Sequence, residues 1–114
     1  MKTIYKISPR QAWDDAGKAG IFTGAPVDVA DGYIHFSAAH QVRETAAKYF
    51  HGQPDLILAA INADALSDAL KWEPSRGGDL FPHLYAPLPM SAVLSVIPLP
   101  LDKGGTPVVP ELLA

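Results

Sequence analysis

Near the middle of the chain, Asp55-Leu56-Ile57-Leu58-Ala59-Ala60-Ile61 forms a nearly unbroken apolar run between turn signals. The run is long enough for a strand and short for a helix. A strand without polar alternation has no face to offer water, so it must be covered on both sides. This stretch therefore predicts a central strand. It requires the rest of the chain to supply a layer on each face.

The flanking sequence offers such layers. Thr3-Ile4-Tyr5-Lys6-Ile7 is rich in β-formers and predicts a first strand. Ser8-Pro9-Arg10-Gln11 carries a helix start, with Ser8 as N-cap, Pro9 at the first helical position and Gln11 closing a capping box. That helix is expected to run to about residue 17, with Ala12, Trp13 and Ala16 inward and Gly17 and Gly20 as stops. Residues 20–30 show no sustained period, and Gly24 and Pro26 read as breakers, so a packed loop with a short bridge of strand is expected. Tyr33, Ile34 and Phe36 give a short strand, and Ser37 caps a second helix over 38–50. Val42, Thr45, Ala46 and Tyr49 share one face of it.

After the central strand, Asn62 to Leu70 reads as a loop with one helical turn. Short extended pieces follow at Lys71-Trp72-Glu73 and Leu80–Tyr85, and Ala92 to Leu99 closes the domain as a strand. Residues 100–114, with three prolines and two adjacent glycines, are expected to be a loosely attached tail. The expectation is one α+β domain over 1–99: a curved, mostly antiparallel sheet with two main helices.

Composition narrows the function classes. A chain of 114 residues, 48% hydrophobic and 18% charged, suits one globular domain. Its net charge of −3 disfavours a nucleic-acid surface built on bulk positive charge. With no cysteine there is no thiolate metal site and no cysteine nucleophile, and the chain fits a reducing cytoplasm. No apolar run reaches membrane-spanning length. Zinc is disfavoured, because the only close histidine spacing is His35 to His40 across a strand–helix boundary. Serine-hydrolase chemistry lacks its G-x-S-x-G elbow, and no glycine-rich dinucleotide fingerprint follows a strand.

The candidate chemistry gathers on a few positions. His35 stands at the seam of a strand and a helix start, a frequent place for small-molecule sites; the plainer reading is a hydrogen-bonded, half-buried histidine. Glu73 is either a half-buried catalytic carboxylate or, as spacing favours, the ion-pair partner of Arg76. Ser75-Arg76-Gly77-Gly78 suits an anion, with an arginine fork and converging backbone amides; it equally suits a tight turn needing positive φ. His83 and Tyr85 alternate on an extended piece and so face one way, giving with Phe81 an aromatic wall for a planar ring, or a polar edge over the core. His51, at a helix end, reads as a dipole partner.

Three blocks, Gly32-Tyr33-Ile34-His35-Phe36-Ser37, Trp72-Glu73-Pro74-Ser75-Arg76-Gly77-Gly78 and Leu80-Phe81-Pro82-His83-Leu84-Tyr85, together make the chain similar to the bacterial family catalogued as domain of unknown function 952. The likeness spans nearly everything up to residue 99. It implies a fold shared with the ADP-ribosyltransferase-like proteins, which bind NAD in a cleft of a split sheet. His35-Phe36-Ser37 resembles their H-x-[ST] block. By that resemblance His35 would bond the nicotinamide ribose with Ser37 beside it. Tyr49 or Tyr85 would stack on the nicotinamide, and Glu73 would stabilise the oxocarbenium-like state. Phe36 stands where many such enzymes have glycine, which crowds the nicotinamide.

The implied chemistry is coherent. Breaking a glycosidic bond needs a fixed carboxylate against developing positive charge, an oriented ribose, and a neutralised pyrophosphate, for which Arg76, Gly77 and Gly78 are the candidates. The expected function is therefore binding of NAD or a related small nucleotide-like ligand, with ADP-ribosyl transfer or phosphotransfer as the reaction. The other classes left open are a non-catalytic module for a nucleotide or acidic metabolite, and a small interaction protein using residues 81–89.

Overall fold

The computed structural model describes residues 2–75 and 78–112. Its elements, in chain order, are β1 (Thr3–Pro9), α1 (Arg10–Ala19), β2 (Ile21–Phe22), α2 (Pro26–Asp31), β3 (Ile34–His35), α3 (Ala39–Tyr49), β4 (Leu56–Asn62), β5 (Leu70–Ser75), β6 (Asp79–Leu84), β7 (Leu88–Pro89) and β8 (Val93–Leu99). Single 3-10 turns lie at Ala63–Ala65, Ser67–Ala69 and Met90–Ala92. The expected Arg76 and Gly77 contacts fall outside the described residues.

The apolar run is the middle strand of a sheet ordered β1-β4-β8. Ile57, Ala59 and Ile61 point to a core shared with Trp13, Phe22, Phe36 and Leu84. Leu56 and Leu58 point the other way, to Tyr5, Val42, Ala46 and Leu99. Thus α1 covers one face and α3 the other, as two-sided burial demands. Each fully buried Leu or Ile contributes about 1.5–3 kcal/mol. Two further antiparallel sheets, β2-β7 and β3-β6-β5, complete a single α+β domain with three α-helices. Reciprocal hydrogen bonds between Tyr5 and Ser37, at 2.8 and 2.9 Å, tie the first sheet to the third.

Local details depart from the sequence reading. The N-terminal capping box does not form. Strand pairing continues through Ser8 and Pro9, opposite Ile57 and Leu56, so the helix starts only at Arg10. Ser8 Oγ donates to the Pro9 carbonyl, and Gln11 donates to Asp15 instead. Gly17 lies inside α1, and the stop is Gly20 at φ +82°. Pro26 starts a helix rather than breaking one, because its missing N–H costs nothing at the first helical position. That adds α2 to the two expected helices. Ser37 is spent on the bridge to Tyr5, so Ala38 is the N-cap of α3, and its N–H donates to Gln41 Oε1 at 2.9 Å.

The segment after Leu99 also departs from expectation. It folds back as a narrow loop bridged at Leu101 and Pro107, and it buries Val109 in the α3-side core. Gly52 N–H donates to the Gly105 carbonyl at 2.7 Å, and Arg43 holds the Val109 carbonyl. Prolines here stiffen an ordered segment. Among the described residues no helix is long and apolar enough to cross a membrane.

Candidate functional site

The third sheet positions the polar cluster. Across β3-β6-β5, Ile34 pairs with Leu84 and His35 with His83; Lys71 also pairs with His83, and Glu73 with Phe81. Alternation then sends Ile34, Leu84, Leu70 and Trp72 to the core face, and His35, His83 and Glu73 to the other. His83 and Tyr85 do face one way, and both reach Glu73.

Two subclusters meet there. In the first, buried Asp28 of α2 is the hub. One oxygen accepts from Lys6 Nζ at 3.0 Å, from the His35 backbone N–H at 3.0 Å, and lies 2.6 Å from His35 Nδ1. The other accepts from Ala25 N–H at 2.8 Å and lies 2.9 Å from Lys6 Nζ. Burial pushes the Asp28 carboxyl up, but the His35 hydrogen bond and the Lys6 charge outweigh it and hold the group down at about 2. His35 Nε2 lies 2.9 Å from Asp31 Oδ2, so both ring nitrogens face carboxylates.

In the second subcluster, Glu73 Oε1 accepts from the Tyr85 hydroxyl at 2.6 Å and lies 2.8 Å from His83 Nδ1. The Tyr85 hydrogen bond, then that of His83, holds the Glu73 carboxyl below its usual range. In turn Glu73 pushes the Tyr85 phenol up to about 12. Glu73 thus has partners ten and twelve positions onward, while its expected pairing with Arg76 lies outside the described residues.

Tyr33 joins the two subclusters. Its ring stacks on His83 with centroids 4.2 Å apart and planes at 14°, and it lies 4.7 Å from His35 and 5.2 Å from Tyr85. His83 is buried, and its Nε2 has no hydrogen-bond partner among the described residues. An orphaned buried nitrogen is the natural contact for a water or a ligand atom. Beside Tyr33 and Tyr85 opens a hollow of about 490 Å³, whose lining includes Asp28, Val29 and Pro87 and, among the described residues, no Lys, Arg or His.

The remaining expected residues fall elsewhere. Ser37 is buried, with its hydroxyl 3.5 Å from Thr45 Oγ1. Tyr49 is exposed on α3, beside a hollow shared with Gln41, Thr45 and Phe81. Gly78 has φ +92° with open space at its Cβ position, the positive-φ turn anticipated for it. Tyr33, Asp28, Asp31 and Lys6 were missed. A readable signal was present in Val27-Asp28-Val29-Ala30-Asp31, where two acids sit in apolar sequence just before His35. Among the described residues no group of three His, Asp or Glu side chains is set to hold a metal ion.

Comparison with known proteins agrees with this architecture. The crystal structure of protein CC0527 from Caulobacter crescentus superposes with a TM-score of 0.90 at 53% identity, covering 93% of each chain. The solution NMR structure of CC0527 gives a TM-score of 0.83 at 53% identity, covering 94% of this chain and 92% of that one. No curated protein matches the chain. The family model described as "Protein of unknown function (DUF952)" matches residues 7–96. The chain belongs to that family.

Proposed function

We propose that the hollow beside Tyr33 and Tyr85 receives the ring-bearing end of NAD or a related nucleotide, with Glu73 as the reacting carboxylate of an ADP-ribosyl-transfer type of reaction. The carrying observation is a pair of tyrosine rings on the wall of the hollow, one of which, Tyr85, donates its hydroxyl to the Glu73 carboxylate outside the lining, while the described lining residues include no cation. Such walls suit a pyridinium ring, which is flat and positive. They also suit the positive charge that grows on the ribose as the glycosidic bond breaks. Volume supports the reading, since small-ligand sites span about 300–1,000 Å³. In this scheme His83, buried and stacked on Tyr33 outside the lining, holds that wall and the Glu73 carboxylate in place. His35 is a positioning residue, because both its nitrogens already face Asp28 and Asp31.

A binding-only reading has one observation in its favour: Glu73 Oε1 is already shared by Tyr85 and His83. Calorimetric titration of NAD into the native chain and into Glu73→Gln, followed by a nicotinamide-release assay, separates the readings. Catalysis requires that both proteins bind and that release falls on the order of 10²–10³-fold in the variant. Equal binding without release supports the module. No saturable heat at millimolar NAD removes NAD as the ligand.

A further inference from the structure

A second hollow, of about 480 Å³, opens where the start of β1, the start of α3, β5 and the folded-back segment meet. Trp72, Val109 and Leu112 give it apolar wall, and Lys2, Arg43 and Glu111 bring charge, with His40 beside them.

Its two cations are held in an unusual way for this chain. Lys6, Arg10 and Lys48 each pair with a carboxylate, at 2.9, 2.7 and 2.7 Å. Lys2 Nζ instead lies 4.4 Å over the Trp72 ring. Arg43 Nη2 donates to the Val109 carbonyl at 2.9 Å, and more weakly to that of Pro110 at 3.5 Å. Neither makes an ion pair among the described residues. A ring face and a carbonyl orient a cation without cancelling its charge. Among the described lining residues, two strong cations stand against the one carboxylate of Glu111, a surplus of about one positive charge beside an apolar wall.

We propose that this hollow binds an organic monocarboxylate, its headgroup between Lys2 and Arg43 and its apolar body against Trp72, Val109 and Leu112. The single residual charge matches one carboxylate better than a phosphate ester. The wall favours an acid with a body over a bare anion. This site lies apart from the Glu73 cluster, because Trp72 and Glu73 project to opposite faces of the β3-β6-β5 sheet, and it does not rest on the NAD reading.

Trp72 supplies the readout. In two-dimensional ¹H–¹⁵N spectra of the full chain, its indole peak is distinguished from that of buried Trp13 by Trp72→Phe. Benzoate is expected to move the Trp72 peak saturably at millimolar concentration and to leave Trp13 in place, with acetate and phenyl phosphate each about tenfold weaker. Arg43→Gln and, independently, Lys2→Gln should each weaken benzoate about tenfold, the Lys2 variant without changing Tm. The proposal is overturned if the shift does not saturate, if both indoles move together, if acetate or phenyl phosphate binds as tightly as benzoate, or if neither variant weakens it.

Discussion

Tyr85 donates its phenolic proton to Glu73 across 2.6 Å, and the same carboxylate oxygen lies 2.8 Å from a buried histidine. The bond holds Tyr85 in its neutral form, with its titration pushed up to about 12. In a tyrosinate absorbance titration, one tyrosine should therefore ionise well above the usual value near 10. Glu73→Gln should bring it back toward that value. The folded state binds this proton more tightly, so the bond's contribution is complete below pH 10 and disappears as pH rises toward 12. The opposite sign applies to Glu73, whose lowered titration makes its contribution disappear as pH falls below the usual carboxylate range.

Asp28, held by His35 and Lys6, contributes to acid stability. Asp28 titrates at about 2 in the folded chain against 3.8 ordinarily. Its contribution, on the order of 2 kcal/mol, is complete above pH 3.8 and is lost as pH falls toward 2. Asp28→Asn removes the buried carboxylate that His35 and Lys6 share and should cost about 3–5 kcal/mol. Urea unfolding at pH 7 measures the cost, and the same series at pH 3 should show a smaller difference.

Two glycines should answer alanine with opposite signs. Gly24 has φ +120°, and a Cβ there would stand 2.8 Å from Asp28 Cβ. Gly24→Ala should destabilise by about 1–3 kcal/mol and loosen the Asp28 hub. Gly17 is inside α1 with nothing within 4 Å of a Cβ position. Gly17→Ala should stabilise by about 0.5–1 kcal/mol. Thermal unfolding of both variants reads the two signs.

The folded-back segment should behave as part of the core. Val109→Ala should cost about 1.5 kcal/mol, the value of two buried methylene equivalents. A chain ended at Leu99 should lose more, since Arg43 and Gly52 also lose their partners. Denaturation midpoints of the two proteins test the order.

Much of the frame could be read from local pattern. The unbroken run at 55–61 announced a two-sided strand. The four positions from Val42 to Tyr49 announced α3, although Tyr49 itself is half exposed. The shared direction of His83 and Tyr85 followed from alternation alone. What escaped was set by distant partners. Asp28 is an ordinary acid in sequence and becomes a hub only because Lys6, far back in β1, arrives above it. Glu73 draws its described bonds from far along the chain, across the sheet to His83 and beyond it to Tyr85. Ser8 and Ser37 carry good capping chemistry, but strand pairing and the bridge to Tyr5 claim their backbones first.

The placing of β4 between β1 and β8 also bears on how the protein is made. Thr3 pairs with Asn62, and Val93 with Ile61, so the middle strand needs partners from both ends of the domain. On the ribosome, β1 emerges long before it has anything to pair with. Once β4 appears, its second edge stays bare until residues 93–99 follow. For that interval the chain carries an uncharged, edge-exposed strand, the kind of surface that seeks another chain. A chain that has emerged past β4 but not yet to β8 is thus the species most in need of a chaperone.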